Sequence, residues 1–233
     1  MNNENRKQTL TVLLNVVFFG ALWGILEATL GTVLHLPALD KAGMYAASTT
    51  IMLPIAYYLM AICYKKTGSR WAVFVMGVVA ALIKLSVAIV IGFRPSVYNP
   101  AIYIVAESLM MGVALIIFNP KNVLSFRTLG AMIFANTLYL FSYLLINMAM
   151  GGTNVFASEK AWIEVGEKYL FKFNCVAILY TFASGAIAFG VMKLLEKANF
   201  SLKFDIKKLV NSPITAAVTL VIAFTLTLTM ALI

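Results

Sequence analysis

Apolar residues in this chain run nearly unbroken for about twenty positions at a time, and the polar residues gather between the runs. A helix of about twenty residues spans a hydrocarbon core of about 30 Å. Seven runs meet that length: Leu10–Leu34, Ala42–Tyr64, Trp71–Ile91, Ala101–Phe118, Leu129–Met150, Asn174–Leu195 and Ile214–Ile233. In lipid only a helix or a closed barrel satisfies its own backbone, and these runs lack the period-two alternation of a barrel strand. All seven are therefore predicted to be helices. Pro37, Pro95, Pro100, Pro120 and Pro213 fall in the predicted connections, whereas Pro54 lies inside the second span and is expected to kink it. The expected fold is an all-α, polytopic transmembrane bundle forming one membrane domain over residues 1–233. Its parts are a six-helix core at 10–195, a basic cytoplasmic linker at 196–213 and an extra helix at 214–233.

Composition agrees: 62% of the 233 residues are hydrophobic and 12% charged, against about 25% charged in an ordinary soluble domain. The net charge of +9 comes from Lys and Arg flanking the spans, which is the pattern that orients membrane proteins. Twelve lie on the side of the N-terminus, from Arg6 and Lys7 to Lys207 and Lys208. Five lie on the other side: Lys41, Arg94, Lys160, Lys168 and Lys172. The N-terminus is therefore expected in the cytoplasm, with the chain in the plasma membrane of a prokaryote. No basic stripe interleaved with aromatics favours nucleic acid. The first span is too long for a signal-peptide core, and Cys63 and Cys175 fall near opposite faces, too far apart for a disulfide. Of the connections, 154–173 reads as a surface helix or a lid, and Lys197–Lys208 as a basic anchor on an anionic leaflet.

Charged side chains within a span cost about 2.5–3.5 kcal/mol each on insertion scales, so each one calls for a reason. There are three, Glu27, Lys84 and Glu107. Counted from the outer ends of their spans, all three lie roughly 10–12 Å deep. A cluster with Lys84 between two carboxylates is the expected arrangement, serving either as a ligand site or as an ion network that locks the bundle. Asn136, Tyr139, Tyr143 and Asn147, spaced by three and four, share a helical face that adds polar groups to the outer half. Tyr180 extends that wall, Arg94 closes it from the loop, and Tyr98 and Tyr103 fit an interfacial aromatic belt equally well. His35, the one histidine, stands at the outer end of helix 1 as a further candidate substrate-binding residue; it has no Cys or His cluster beside it, so no resident metal or cofactor is expected. Neither a nucleophile with its base nor a phosphate-binding glycine loop is present, so no enzymatic activity is expected.

Helix 1 carries a small-residue ridge, Gly20, Gly24, Ala28 and Gly31, of the kind that lets another helix approach closely, either within the bundle or from a partner. Together with the chain's size, its cytoplasmic N-terminus and an outward pocket, this pattern resembles the substrate-binding S components of energy-coupling factor transporters. The resemblance covers roughly residues 10–195. It implies capture of a small polar vitamin, cofactor or precursor by Glu27, Lys84 and Glu107, and docking of a transmembrane coupling subunit with its ATPases on the ridge. Two features depart from that family. The ridge has glycines where an alanine pair is usual, and the seventh span, with five threonines, has no counterpart. An ion-coupled secondary transporter using an intramembrane carboxylate, or a non-transport membrane assembly protein, are the alternative readings.

Overall fold

The computed structural model describes residues 3–31, 47–69, 71–149 and 210–232, together with positions 175, 179, 182, 183, 185–187 and 190. The chain is an all-α bundle. Helix α1 (Asn3–Leu26) runs into a π-helical turn at Glu27–Gly31; α2 is Ala47–Thr67, α3 Ala72–Leu85, α4 Ala88–Ile91, α5 Pro95–Phe118, α6 Phe126–Ala149 and α7 Pro213–Leu232. The positions described between α6 and α7 are helical. Among the described residues, Glu4–Gly31, Ala72–Ile91, Val97–Phe118 and Pro213–Leu232 are each long and apolar enough to cross a membrane. That makes four where seven were expected. The second and fifth predicted spans coincide with α2 and α6, and the sixth lies largely outside the described residues. Leu82, Ile89, Ile117, Leu145 and Val221 are large, apolar and exposed. A surface so rich in bare aliphatic groups suits lipid and not water.

Local sequence sets the helix ends. Ser125 caps α6: its Oγ accepts from the Thr128 backbone N–H at 3.2 Å, and Thr128 Oγ1 reaches the Asn122 carbonyl at 2.8 Å. Ser212 does the same for α7, accepting from Thr215 N–H at 3.4 Å, with Pro213 at the first helical position, where its missing N–H costs nothing. Helix α5 stops at Asn119, whose left-handed conformation (φ 39°, ψ 60°) closes the last turn onto the Leu115 carbonyl before Pro120 prevents continuation. Gly68 (φ 62°) ends α2 in the same manner. Two expectations change here. Pro100 lies inside α5, not in a connection, because Pro95 starts the helix five residues earlier; a proline this close to the N-terminus removes a bond only from the helix end. The third predicted span is broken at Ser86–Val87 between α3 and α4. There Ser86 Oγ donates to the Ile83 carbonyl at 2.6 Å, a back-bond of the type that bends helices.

Helix α3 sits between α1 and α5, α6 packs on α5, and α7 lies along α1. The main core joins Trp23 of α1, Tyr57 and Met60 of α2, Met76 of α3, Met111 and Leu115 of α5, and Met132 of α6. A smaller cluster unites Ala21, Ile83 and Ala223, so α7 shares in the packing between α1 and α3. Tyr58 ties the chain beyond α6 to α2 by donating to the Gly185 carbonyl at 3.0 Å. At the other junction Asn15 Nδ2, on α1, donates to Asn211 Oδ1 at 2.8 Å, just before α7. Interhelical side-chain hydrogen bonds in membranes contribute about 0.6 kcal/mol on average. Asn15→Leu is accordingly expected to lower thermal stability in detergent slightly and to raise protease sensitivity selectively at the 210–213 junction, which mapping of the cleavage products would show.

Candidate functional site

Helices α1, α2, α5 and α6 each bring a polar group into the interior of the bundle. Glu27 opens the π-helical turn at Glu27–Gly31, and such wide turns are frequent at functional sites because the extra residue redirects a side chain. One turn back, the fully buried Trp23 donates its indole N–H to Glu27 Oε1 at 3.2 Å. One turn forward, a Cβ on Gly31 would lie 3.2 Å from Glu27 Oε2, so this glycine makes room for the carboxylate. Glu107 is the thirteenth of the twenty-four residues of α5. Moving the helix start from Ala101 to Pro95 therefore places it at mid-helix, about 18 Å along the axis at 1.5 Å per residue.

The two carboxylates lie close enough to interact electrostatically, and the Tyr139 side chain of α6 is within hydrogen-bonding reach of Glu107. Tyr57 of α2 also interacts with Glu107; it is fully buried, and its hydroxyl has no hydrogen-bond partner among the described residues. Asn136, one turn before Tyr139, is equally buried with both amide atoms unpartnered. Buried polar atoms nearly always find a partner, and an unsatisfied one costs about 1–3 kcal/mol. Tyr57, next to Glu107, and Asn136, one turn from Tyr139, therefore hold unspent hydrogen-bonding capacity. Glu27 and Glu107 are themselves half-buried.

Lys84 does not join this set: it is half-buried near the end of α3 and forms no ion pair with a described residue. Its neighbour Ile83 packs against Gly24 and Ala223, on the side facing α1 and α7. Arg94 is exposed and donates through Nε to the Ile91 carbonyl at 2.8 Å, with a second bond to the same oxygen from its terminal nitrogen. Tyr98, beside it, stacks on Phe93 with ring centroids 5.1 Å apart. His35 and Tyr180 lie outside the described residues, as do the side chains of Tyr143 and Asn147 and the connections 154–173 and 197–208. Cys63 and Cys175 are free.

The glycine ridge has an occupant inside the chain. A Cβ on Gly20 would come within 2.8 Å of the Met76 carbonyl and 2.7 Å of Val79 Cβ, and one on Gly24 within 2.9 Å of Ile83. Helix α3 therefore fills the ridge at these two positions. Ala28 is buried as well. Gly31 has a different task, the clearance of Glu27. Gly31→Val is expected to push the Glu27 carboxylate away from the Trp23 indole. Tryptophan fluorescence would report it as a shifted emission maximum, accompanied by a small loss of stability of about 1 kcal/mol.

Trp23 and Tyr57 belong to the site but were not among the expected residues. Trp23 could have been found from its spacing of four before Glu27, which places both on one face. Tyr57 had only its depth within the second span to mark it. Comparison of the chain with protein-family models, curated proteins and solved structures finds no match.

Proposed function

We propose that this chain is a membrane solute-capture protein, the substrate-binding subunit of an energy-coupling-factor-type uptake transporter for a small polar vitamin, cofactor or precursor. The reading is supported by one observation above all: Glu27, Tyr57, Glu107 and Tyr139 meet inside a membrane bundle, and the buried Tyr57 hydroxyl and the amide of Asn136, one turn before Tyr139, have no hydrogen-bond partner among the described residues. A group that served only to lock helices would be expected to satisfy its members mutually. On this reading the N-terminus is cytoplasmic in the plasma membrane of a prokaryote, the site is loaded from outside, and a coupling subunit with paired ATPases supplies the energy. That subunit docks elsewhere than at Gly20 and Gly24, which α3 covers.

Mass spectrometry of solute released from the purified chain tests the proposal. A stoichiometric small polar molecule, retained by the wild type and lost from Glu27→Gln, is expected, together with copurification of a coupling subunit and ATPases. A chain that carries no solute and pulls down no ATPase refutes it. A second reading, an ion-coupled secondary transporter, draws on the neighbouring carboxylates, since two acids at close range readily exchange a proton. Transport by proteoliposomes holding this chain alone, driven by a proton gradient, would favour it.

A further inference from the structure

Positive charge among the described residues gathers at one end of the bundle. Lys65 and Lys66 lie in the last turn of α2, Lys121 in the connection from α5 to α6, and Arg127 in the first turn of α6. The Lys65 ammonium donates to the Lys121 carbonyl, which holds the end of α2 beside the α5–α6 connection. Helix α1 runs parallel to α3, since Gly20 meets Met76 and Val79 while Gly24 meets Ile83, so Arg6 and Lys7 belong to the same end. All six of these side chains are exposed.

No acid answers the four on α2, the connection and α6. Between Asp40 and Glu159 the sequence holds a single Asp or Glu, the intramembrane Glu107. Neither Lys65, Lys66, Lys121 nor Arg127 forms an ion pair with a described residue. The two lysines of α2 suit the negative end of their own helix, which by itself would account for them. Arg127 has no such reason to be where it is. It stands at the positive end of α6, where the helix dipole disfavours a cation and no acidic residue shares the first turn. A charge set against its own helix, beside further cations, calls for an anion from outside the chain.

The neighbouring surface selects that anion. Trp71 and Phe126, at the same end, are aromatic and largely exposed, as in the belts that mark a headgroup boundary. Ile102, Leu109, Val113 and Ile116 are exposed, and their spacing of seven, four and three puts them on one face of α5, in a stripe that leads toward Lys121. That stripe is about 21 Å long at 1.5 Å per residue, whereas half of a hydrocarbon core is about 15 Å. An acyl chain can therefore follow it through a whole leaflet. A soluble anion would use the cations alone; a lipid uses cations and stripe together.

We propose that the end of α2 and the α5–α6 connection form a binding site for an anionic phospholipid, with Lys65, Lys121 and Arg127 on its phosphate and an acyl chain along the α5 stripe. The bond to Lys121 leaves the Lys65 ammonium two further N–H donors, and the Arg127 guanidinium suits phosphate in bidentate fashion. The site stands whatever the interior of the bundle holds.

Native mass spectrometry of the full-length chain, equilibrated in detergent micelles with equal amounts of phosphatidylglycerol and phosphatidylcholine, tests the proposal. Preferential retention of phosphatidylglycerol is expected. Each Lys or Arg beside an anionic surface contributes about fivefold to binding. The combined variant Lys65→Gln, Lys121→Gln, Arg127→Gln should thus lower retention on the order of a hundredfold. Arg127→Gln alone, about fivefold weaker, guards against misfolding of the triple variant. Arg6→Gln with Lys7→Gln removes cations from α1, which α3 separates from α5, and should keep the preference. An excess of glycerol phosphate, the headgroup without its chains, should not displace the lipid. Equal retention of both lipids, retention unchanged in the triple variant, equal loss in the α1 variant, or displacement by glycerol phosphate would each overturn the proposal. So would a copurifying protein that the triple variant releases while lipid retention stays unchanged, because the patch would then belong to an acidic protein partner.

Discussion

Replacing Gly77 by alanine is expected to destabilise the bundle more than any other single methyl group added to it. Helix α3 is held on both sides by close backbone approaches: Gly20 and Gly24 admit it to α1, and its own Gly77 admits α5. A Cβ on Gly77 would overlap both Cβ and Oγ of Ser108, a fully buried residue of α5. The hydroxyl alone could swing aside, though it is bonded to the Val105 carbonyl at 2.8 Å, but the Ser108 Cβ is fixed to the backbone. Relief therefore requires α3 and α5 to separate, and separation loosens Met76 and Met111 in the core on either side. Overpacking of this kind costs about 1–3 kcal/mol even where side chains can adjust. Gly77→Ala should lie at or above the top of that range, and Gly77→Leu should give no folded protein. The double variant Gly77→Ala with Ser108→Gly decides whether this contact is the cause. Ser108→Gly alone weakens its helix by about 0.5 kcal/mol; in the Gly77→Ala background it should restore stability, a coupling of opposite sign that thermal melts in detergent would measure. Additive losses would show that the glycine acts through something other than Ser108.

How much of this was legible in the sequence depends on which coordinate a feature occupies. Helical class and membrane character follow from the length of the apolar runs, because lipid leaves the backbone no other way to satisfy itself. Capping was equally local, as in the Ser212-Pro213 and Asn119-Pro120 pairs. Depth was legible only in part: Glu27 and Glu107 lie close enough to interact, but Pro95 starts α5 earlier than expected and puts Glu107 at mid-helix. Pairing, however, also requires the direction a side chain takes around its helix axis, and that is set by tertiary packing. Lys84 follows Ile83, whose contacts with Gly24 and Ala223 orient that turn of α3 toward α1 and α7. The same distinction applies to the ridge on α1: its small residues announced that a helix would approach, but nothing in them named α3. Pro100 misled for a simpler reason. It read as a helix terminator, yet Pro95 starts α5 earlier and Pro100 costs one bond near the end.

Asn136→Leu is expected to make the protein more stable and to abolish its function. The side chain is fully buried on α6, and neither amide atom has a hydrogen-bond partner among the described residues. Leucine has the same heavy-atom count and branching, removes two unsatisfied polar atoms and adds apolar contact toward a core rich in methionine. Each unsatisfied group costs about 1–3 kcal/mol, so the variant should melt several degrees higher than the wild type. A residue kept at such a cost is of the kind found where binding requires it, since functional sites are where stability is sacrificed. On the proposed reading the same substitution removes an acceptor and a donor one turn from Tyr139, whose side chain reaches Glu107, and solute retained through purification should fall at least about tenfold. The paired readout separates the two possible roles of this amide. If Asn136 served the architecture, replacing it would lower the melting temperature and leave retention per folded molecule unchanged. A rise in melting temperature together with a loss of solute is the result a binding residue gives, and a packing residue cannot produce both.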